Sequence, residues 1–247
     1  MNSRRASAVR RELIPLHRYL PILVLLIAPV RGDPVGSGAE ARFAAALAEL
    51  QSPALTSAAT QRARAELAAI VAATPGTPEG IAALYLLGRL DQLETGSVEP
   101  AGLARLAREH PHHPLGQLAA LKVLLHRLYA PGPESAAARL HYGEDLNAAI
   151  TLPALRSDYH LAMGEAYLFH GDQREAALRH LRAAAALGIP SAATRANVLV
   201  QIGELARLTG EPTVAAASYR AFIAEFPRDL RQQIVRDRLA EVEGPAS

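Results

Sequence analysis

The sequence predicts an all-α protein, and three observations predict it. Half of the 247 residues are hydrophobic, yet only 4% are aromatic. Ala and Leu supply much of the remainder, and both lose little side-chain freedom in a helix. No stretch alternates apolar and polar residues long enough to suggest a strand. The chain also writes nearly the same helical sentence twice, as "MGEAYLFHGDQREAALRHLRAAAALG" at 163–188 and "IGELARLTGEPTVAAASYRAFIAEFP" at 202–227.

The chain opens with a leader, residues 1–32. An Arg-rich start is followed by the apolar run "LPILVLLIAPV" at 20–30 and then by polar "RGDP", the order of a secretory signal. Eleven apolar residues span about 16 Å as a helix, roughly half of a hydrocarbon core. That length favours a cleaved signal over a permanent anchor. Val30 and Gly32 supply the small residues before a mature start at Asp33. Three alternatives stay open. Residues 13–30 can serve as an uncleaved inner-membrane anchor, "RRELI" at 10–14 resembles a twin-arginine export signal, and the acid-free stretch 1–11 suits a mitochondrial presequence. With the leader treated as a signal, the expected location is the periplasm.

The basic pI near 9.1 belongs mostly to this leader. Arg4, Arg5, Arg10, Arg11, Arg18 and Arg31 face Glu12 alone, which leaves 20 of the 26 basic and 23 of the 24 acidic side chains beyond residue 32. A net charge of −3 on that part offers no basic field for nucleic acid or anionic lipid. Cysteine is absent, which excludes disulfides, thiolate metal sites and an N-terminal lipidated cysteine. Lys122 is the single lysine.

Residues 33–247 are expected to form one domain of helix upon helix. The expected helices are 38–50, 57–73, 78–94, 99–109, 115–129, 135–149, 154–170, 173–187, 192–208, 212–225 and 229–242. Between them lie "QSP", "TPGTP", "HPHHP", "APGP", "GIPS" and "FPRD", where proline and glycine stop helices.

The doublet resembles the tetratricopeptide repeat, whose pattern is W-x₂-L-G-x₂-Y…A-x₃-F…P over about 34 residues. The C-terminal copy reads Leu199-x₂-Ile202-Gly203-x₂-Ala206, then Ala215-x₃-Tyr219, then Pro227. The copy before it reads His160-x₂-Met163-Gly164-x₂-Tyr167, then Ala176-x₃-His180. A third fragment, Leu84-x₂-Leu87-Gly88, precedes Gly164 by close to twice the spacing of the doublet. The clearest repeats are thus 157–190 and 196–229, with a partial one at 80–111 and room for a degenerate one at 115–150. The resemblance implies a right-handed solenoid of about five helical hairpins after the signal segment. Small residues at Gly164 and Ala176 would let paired helices approach closely. Gly171 and Gly210 would take the left-handed turn conformation, and Tyr219 would pack towards a neighbouring repeat.

In this family the first helix of each pair lines a concave groove. Carried over by position, the groove residues are Tyr85, Arg89 and Leu93, then Asp158, Leu161, Glu165, Leu168 and Phe169, then Asn197, Val200, Glu204, Arg207 and Leu208. An apolar floor with mixed charges suits an extended peptide or helix of another protein. The resemblance implies a non-catalytic interaction scaffold or adaptor, and with the leader and the mildly acidic remainder the expectation is one of the bacterial cell envelope. Some members clamp a C-terminal carboxylate with Lys and Asn, but Leu161, Glu165, Val200 and Glu204 occupy the comparable positions here.

Sequence motifs for catalysis are absent: no H-E-x-x-H, phosphate loop or G-x-S-x-G occurs. Neither an enzyme nor a cofactor is expected. "EHPHHP" brings His110, His112 and His113 into one turn, and imidazoles bind zinc or copper. A metal-binding or metal-dependent envelope protein is the alternative, although no fourth ligand is evident. His160, His170 and His180 recur at a regular interval that does not match the helical period, a spacing expected to scatter them around their helices.

Overall fold

The computed structural model describes residues 37–52, 56–95 and 101–244, without side chains for 37 and 93–95. The leader lies outside the described residues, as do its expected cleavage site and the side chain of Leu93. Every regular element among the described residues is helical, and none of those helices is long and apolar enough to cross a membrane. The chain divides into two compact units at Pro133/Glu134.

In the first unit, α1 (Ser37–Leu50), α2 (Ser57–Ala73), α3 (Pro78–Thr95), α4 (Ala101–Glu109) and α5 (Pro114–Tyr129) follow one another. Each packs on the next, and α3 also touches α1 and α5. The helices start where capping chemistry permits. Thr56 accepts the Ala59 N–H at 3.2 Å through its hydroxyl, relieving a donor that the first turn leaves orphaned. Proline opens α3 and α5, where its missing N–H costs nothing. Leu67, Ile70, Leu103, Leu106, Leu118, Leu121 and Leu124 form the core. Each such burial contributes about 1.5–3 kcal/mol.

The second unit holds α6 (Ala136–Asp145) with a 3₁₀ turn at Leu146–Ala148, then α7 (Pro153–Gly171), α8 (Arg174–Leu187), α9 (Ala192–Leu208), α10 (Pro212–Glu225) and α11 (Gln232–Glu243). Again each α-helix packs on the one before it. Tyr159, Tyr219 and Phe222 are its largest fully buried side chains.

The repeated glycines are where paired helices come closest. A Cβ on Gly88 would meet the Leu103 backbone nitrogen at 2.6 Å, one on Gly164 the Leu181 side chain at 2.8 Å, and one on Gly203 the Tyr219 ring at 2.3 Å. Each partner lies on the helix that follows, so α3–α4, α7–α8 and α9–α10 are hairpins of one type.

Several expectations need correction. The close partner of Gly164 on α8 is Leu181, with the Ala177 carbonyl 3.4 Å away, rather than Ala176. Tyr219 fills the space over Gly203 within its own hairpin rather than the gap to a neighbour. Gly210 is left-handed, at φ 78°, but Gly171 remains helical and Asp172 takes the turn at φ 51°. Short polar residues tolerate that region because their side chains bond locally, and Asp172 accepts from Arg174 at 2.6 Å. The helices expected for the degenerate 115–150 repeat are α5 and α6, which belong to different units.

Candidate functional site

The groove residues carried over from the family pattern fall into two sets, one in each unit. In the second unit they lie on α7 and α9, the first helices of successive hairpins. Phe169 and Leu208 hold equivalent positions near the ends of these helices, and both remain open, at 44% and 50% exposure. The Phe169 ring stands edge-on to His170, 4.9 Å between centroids. An exposed large apolar side chain repeated at one register of the repeat is what an apolar contact surface would require.

Other polar side chains on α7 and α9 bond to groups of the same unit. Glu165 accepts from Gln201 at 3.0 Å, bridging α7 and α9. Glu204 accepts from the Tyr219 hydroxyl at 2.7 Å and from Arg207 at 2.9 Å, with Arg238 3.7 Å away. Burial pushes the Glu204 carboxyl up, but these donors and charges outweigh it and hold its pKa below the ordinary value. Asn197 accepts from Arg231 at 2.8 Å. Leu168 and Val200 are half-buried. Asp158 and Leu161 are buried, at 4% and 5% exposure, so neither is accessible on this face. Asp158 is not left without a partner. The accessible surface on α7 and α9 is therefore narrower than the family pattern implied: an apolar pair on helices whose other polar groups bond within the unit.

In the first unit, Tyr85 is buried on α3, and burial pushes its hydroxyl up to about 12 against the pull of Arg89. Arg89, one turn further on, donates to Gln92 through Nη1, while its Nε is buried without a hydrogen-bond partner. Lys122 on α5 went unnoticed by the family pattern. It is 5% exposed, and burial, then the Arg89 charge, bring its amine down to about 7.

The histidine turn is arranged for capping. His113 Nδ1 accepts the Leu115 N–H at 3.2 Å and caps α5, with its pKa lowered by burial and then by His110. His112 is exposed. Among the described residues, no three His, Asp or Glu side chains come together as a metal site.

The expected scatter of His160 and His180 is overturned. Their Nδ1 atoms lie 3.0 Å apart, buried between α7 and α8. His180 Nε2 lies 3.1 Å from Glu144 Oε1, which also accepts from the Tyr167 hydroxyl and from Arg179. Burial lowers both imidazoles, His160 to about 4, so both are neutral near pH 7. Only one neutral tautomer set satisfies all three groups: His180 carries its proton on Nε2 and donates to Glu144, and His160 donates from Nδ1 to His180. The signal was present in the repeat. His160 and His180 occupy the positions of Leu199 and Tyr219, so two residues that face each other change together.

No protein-family model matches the sequence, and no curated protein is significantly similar to it. A search of solved structures finds a thermophilic TPR protein of Thermus thermophilus, at 21% identity and a TM-score of 0.43 over 83% of this chain and 98% of that one. The described residues form an all-α array in which successive helices pair as hairpins, three of them closed on a glycine.

Proposed function

We propose that this chain is a non-catalytic protein–protein interaction scaffold of the bacterial cell envelope, exported to the periplasm, which binds an extended peptide or helix of another protein. The observation that carries it is the open pair Phe169 and Leu208, held at equivalent positions of adjacent hairpins. Other polar side chains of the same helices are already bonded within the unit, so a partner gains mainly by covering apolar surface. Export is supported by the order of residues in the leader and by the net acidic charge beyond it. If the leader stays uncleaved, the same scaffold works from an inner-membrane anchor.

In-cell cross-linking followed by pull-down tests the scaffold role, comparing the natural chain with a Phe169→Ser, Leu208→Ser variant of equal helical content and melting temperature. One envelope protein captured by the natural chain and lost in the variant is the expected result. Equal capture by both removes the site from this surface. N-terminal sequencing of the native protein tests export separately, with a start at Asp33 expected.

A further inference from the structure

Helix α6 opens the second unit, and four side chains of α7 and α8 converge on its last turn. The Tyr159 hydroxyl donates to the Gly143 carbonyl at 2.9 Å. Glu144 Oε1 accepts from the Tyr167 hydroxyl, from Arg179 at 3.0 Å and from His180 Nε2 at 3.1 Å. His160 donates to His180 in turn, Nδ1 to Nδ1 at 3.0 Å. Leu140, by contrast, is the one apolar side chain of α6 that is buried. The equivalent hairpin α9–α10 has no such chain. Leu199 and Tyr219 stand at the positions of His160 and His180, and the Tyr219 hydroxyl donates to Glu204 of its own hairpin at 2.7 Å. The imidazoles therefore occur in the hairpin that carries α6.

The chain of bonds from Glu144 to His160 needs neutral rings. A second proton on His180 removes the Nδ1 lone pair that receives His160. A second proton on His160 places a cation near Arg156 and Arg179. Burial is the largest influence on both rings and disfavours their charge, with Arg179 acting in the same sense and Glu144 opposing. Tyr159 and Tyr167 pack against the rings, and burial raises both hydroxyls, so neither titrates in acid. Among the described residues, no charged group of α9 acts on either imidazole. The Glu144 side chain is 31% exposed and that of His180 is 3% exposed, so the departure of α6 would open His180 to water.

We propose that Glu144, His180 and His160 form an acid-released latch that holds α6 on the α7–α8 hairpin. With α6 in place both rings stay neutral. Once it lifts, an imidazole meets water and takes a proton at its ordinary value, near pH 6.5, and the new charge opposes reclosing. The closed form is thus favoured above pH 6.5 and loses ground as pH falls towards the value of the closed pair, about 4 at His160.

Native-state hydrogen exchange on the full chain, read by mass spectrometry at pH 7 and pH 5 in low urea, tests the latch. Protection factors of the α6 amides should fall about twentyfold between the two pH values, the change for one imidazole moving from about 4 to 6.5. That opening should depend little on urea, whereas amides of α9 and α10 should show the steep urea dependence of whole-unit unfolding. In the His160→Leu, His180→Tyr variant α6 should be equally protected at both pH values, with a hydroxyl at 180 donating to Glu144. Protection of α6 that pH does not change overturns the latch, with no variant needed. So does an α6 opening with the same urea dependence as α9 and α10. A variant that keeps the twentyfold fall overturns the role of these imidazoles.

Discussion

Single residues decide how close the helices of a hairpin come, and the three repeat glycines differ in what opposes a side chain. At Gly88 the obstacle is the backbone nitrogen of Leu103, while at Gly164 it is the end of the Leu181 side chain. A flexible side chain yields more readily than a helix backbone. Gly88→Ala is therefore expected to destabilise by about 2–3 kcal/mol and Gly164→Ala by about 1 kcal/mol, read as the difference in denaturation midpoints. Equal losses would mean that these helices adjust freely. The buried imidazole pair sets the acid response. An unfolded histidine binds its proton near pH 6.5, whereas folded His160 resists it down to about 4, and His180 is lowered too. The stability of the neutral pair is thus present above pH 6.5 and is lost as pH falls towards 4. The His160→Leu, His180→Tyr variant, which copies Leu199 and Tyr219, should flatten that slope in melting temperature between pH 7 and 4.5. The glycines and this swap could be read by laying one repeat over the other. The burial of Lys122 could not, because it follows from how α5 packs on α3 and α4.

Helices are the most legible part of the chain. Those expected at 57–73, 192–208 and 212–225 have the observed bounds, because proline, glycine and hydroxyl residues punctuate them at both ends. The misses have local causes. The last helix begins at Gln232 rather than 229, because Asp229 Oδ1 accepts from both the N–H and Nε of Arg231 at 2.9 Å, and that side chain–backbone turn competes with helix. The helix expected to reach 149 stops at Asp145 and tightens into a 3₁₀ turn; nearby, the Tyr159 hydroxyl donates to the Gly143 carbonyl at 2.9 Å. The histidine turn was legible as an imidazole cluster but its use as a cap was not, since His113 is an uncommon capping residue. His113→Ala should lower stability by about 1 kcal/mol through the lost cap, and His112→Ala by much less, as thermal melts of the two variants would show.

At the scale of the whole molecule, the sequence conveys the all-α fold class and the equivalence of α7 and α9 better than the division at Pro133/Glu134. Composition and the repeated helical sentence carry the first two, because hairpin stacking requires the same small and large residues at the same places. The division falls within "APGPE", which reads like the other helix stops. Along the carried-over groove positions, Phe169 and Leu208 stay open where Tyr85, Asp158 and Leu161 are buried, a distinction that depends on which neighbour covers each helix face. The central claim is that the open positions contact a partner. It is tested most directly by placing a photo-cross-linking amino acid in living cells at 169, at 208 and, as a control, at Leu187, which is equally exposed on the second helix of its hairpin. The account predicts the same single protein adduct from 169 and 208 and none from 187. An adduct from 187 with none from 169 or 208 would contradict it.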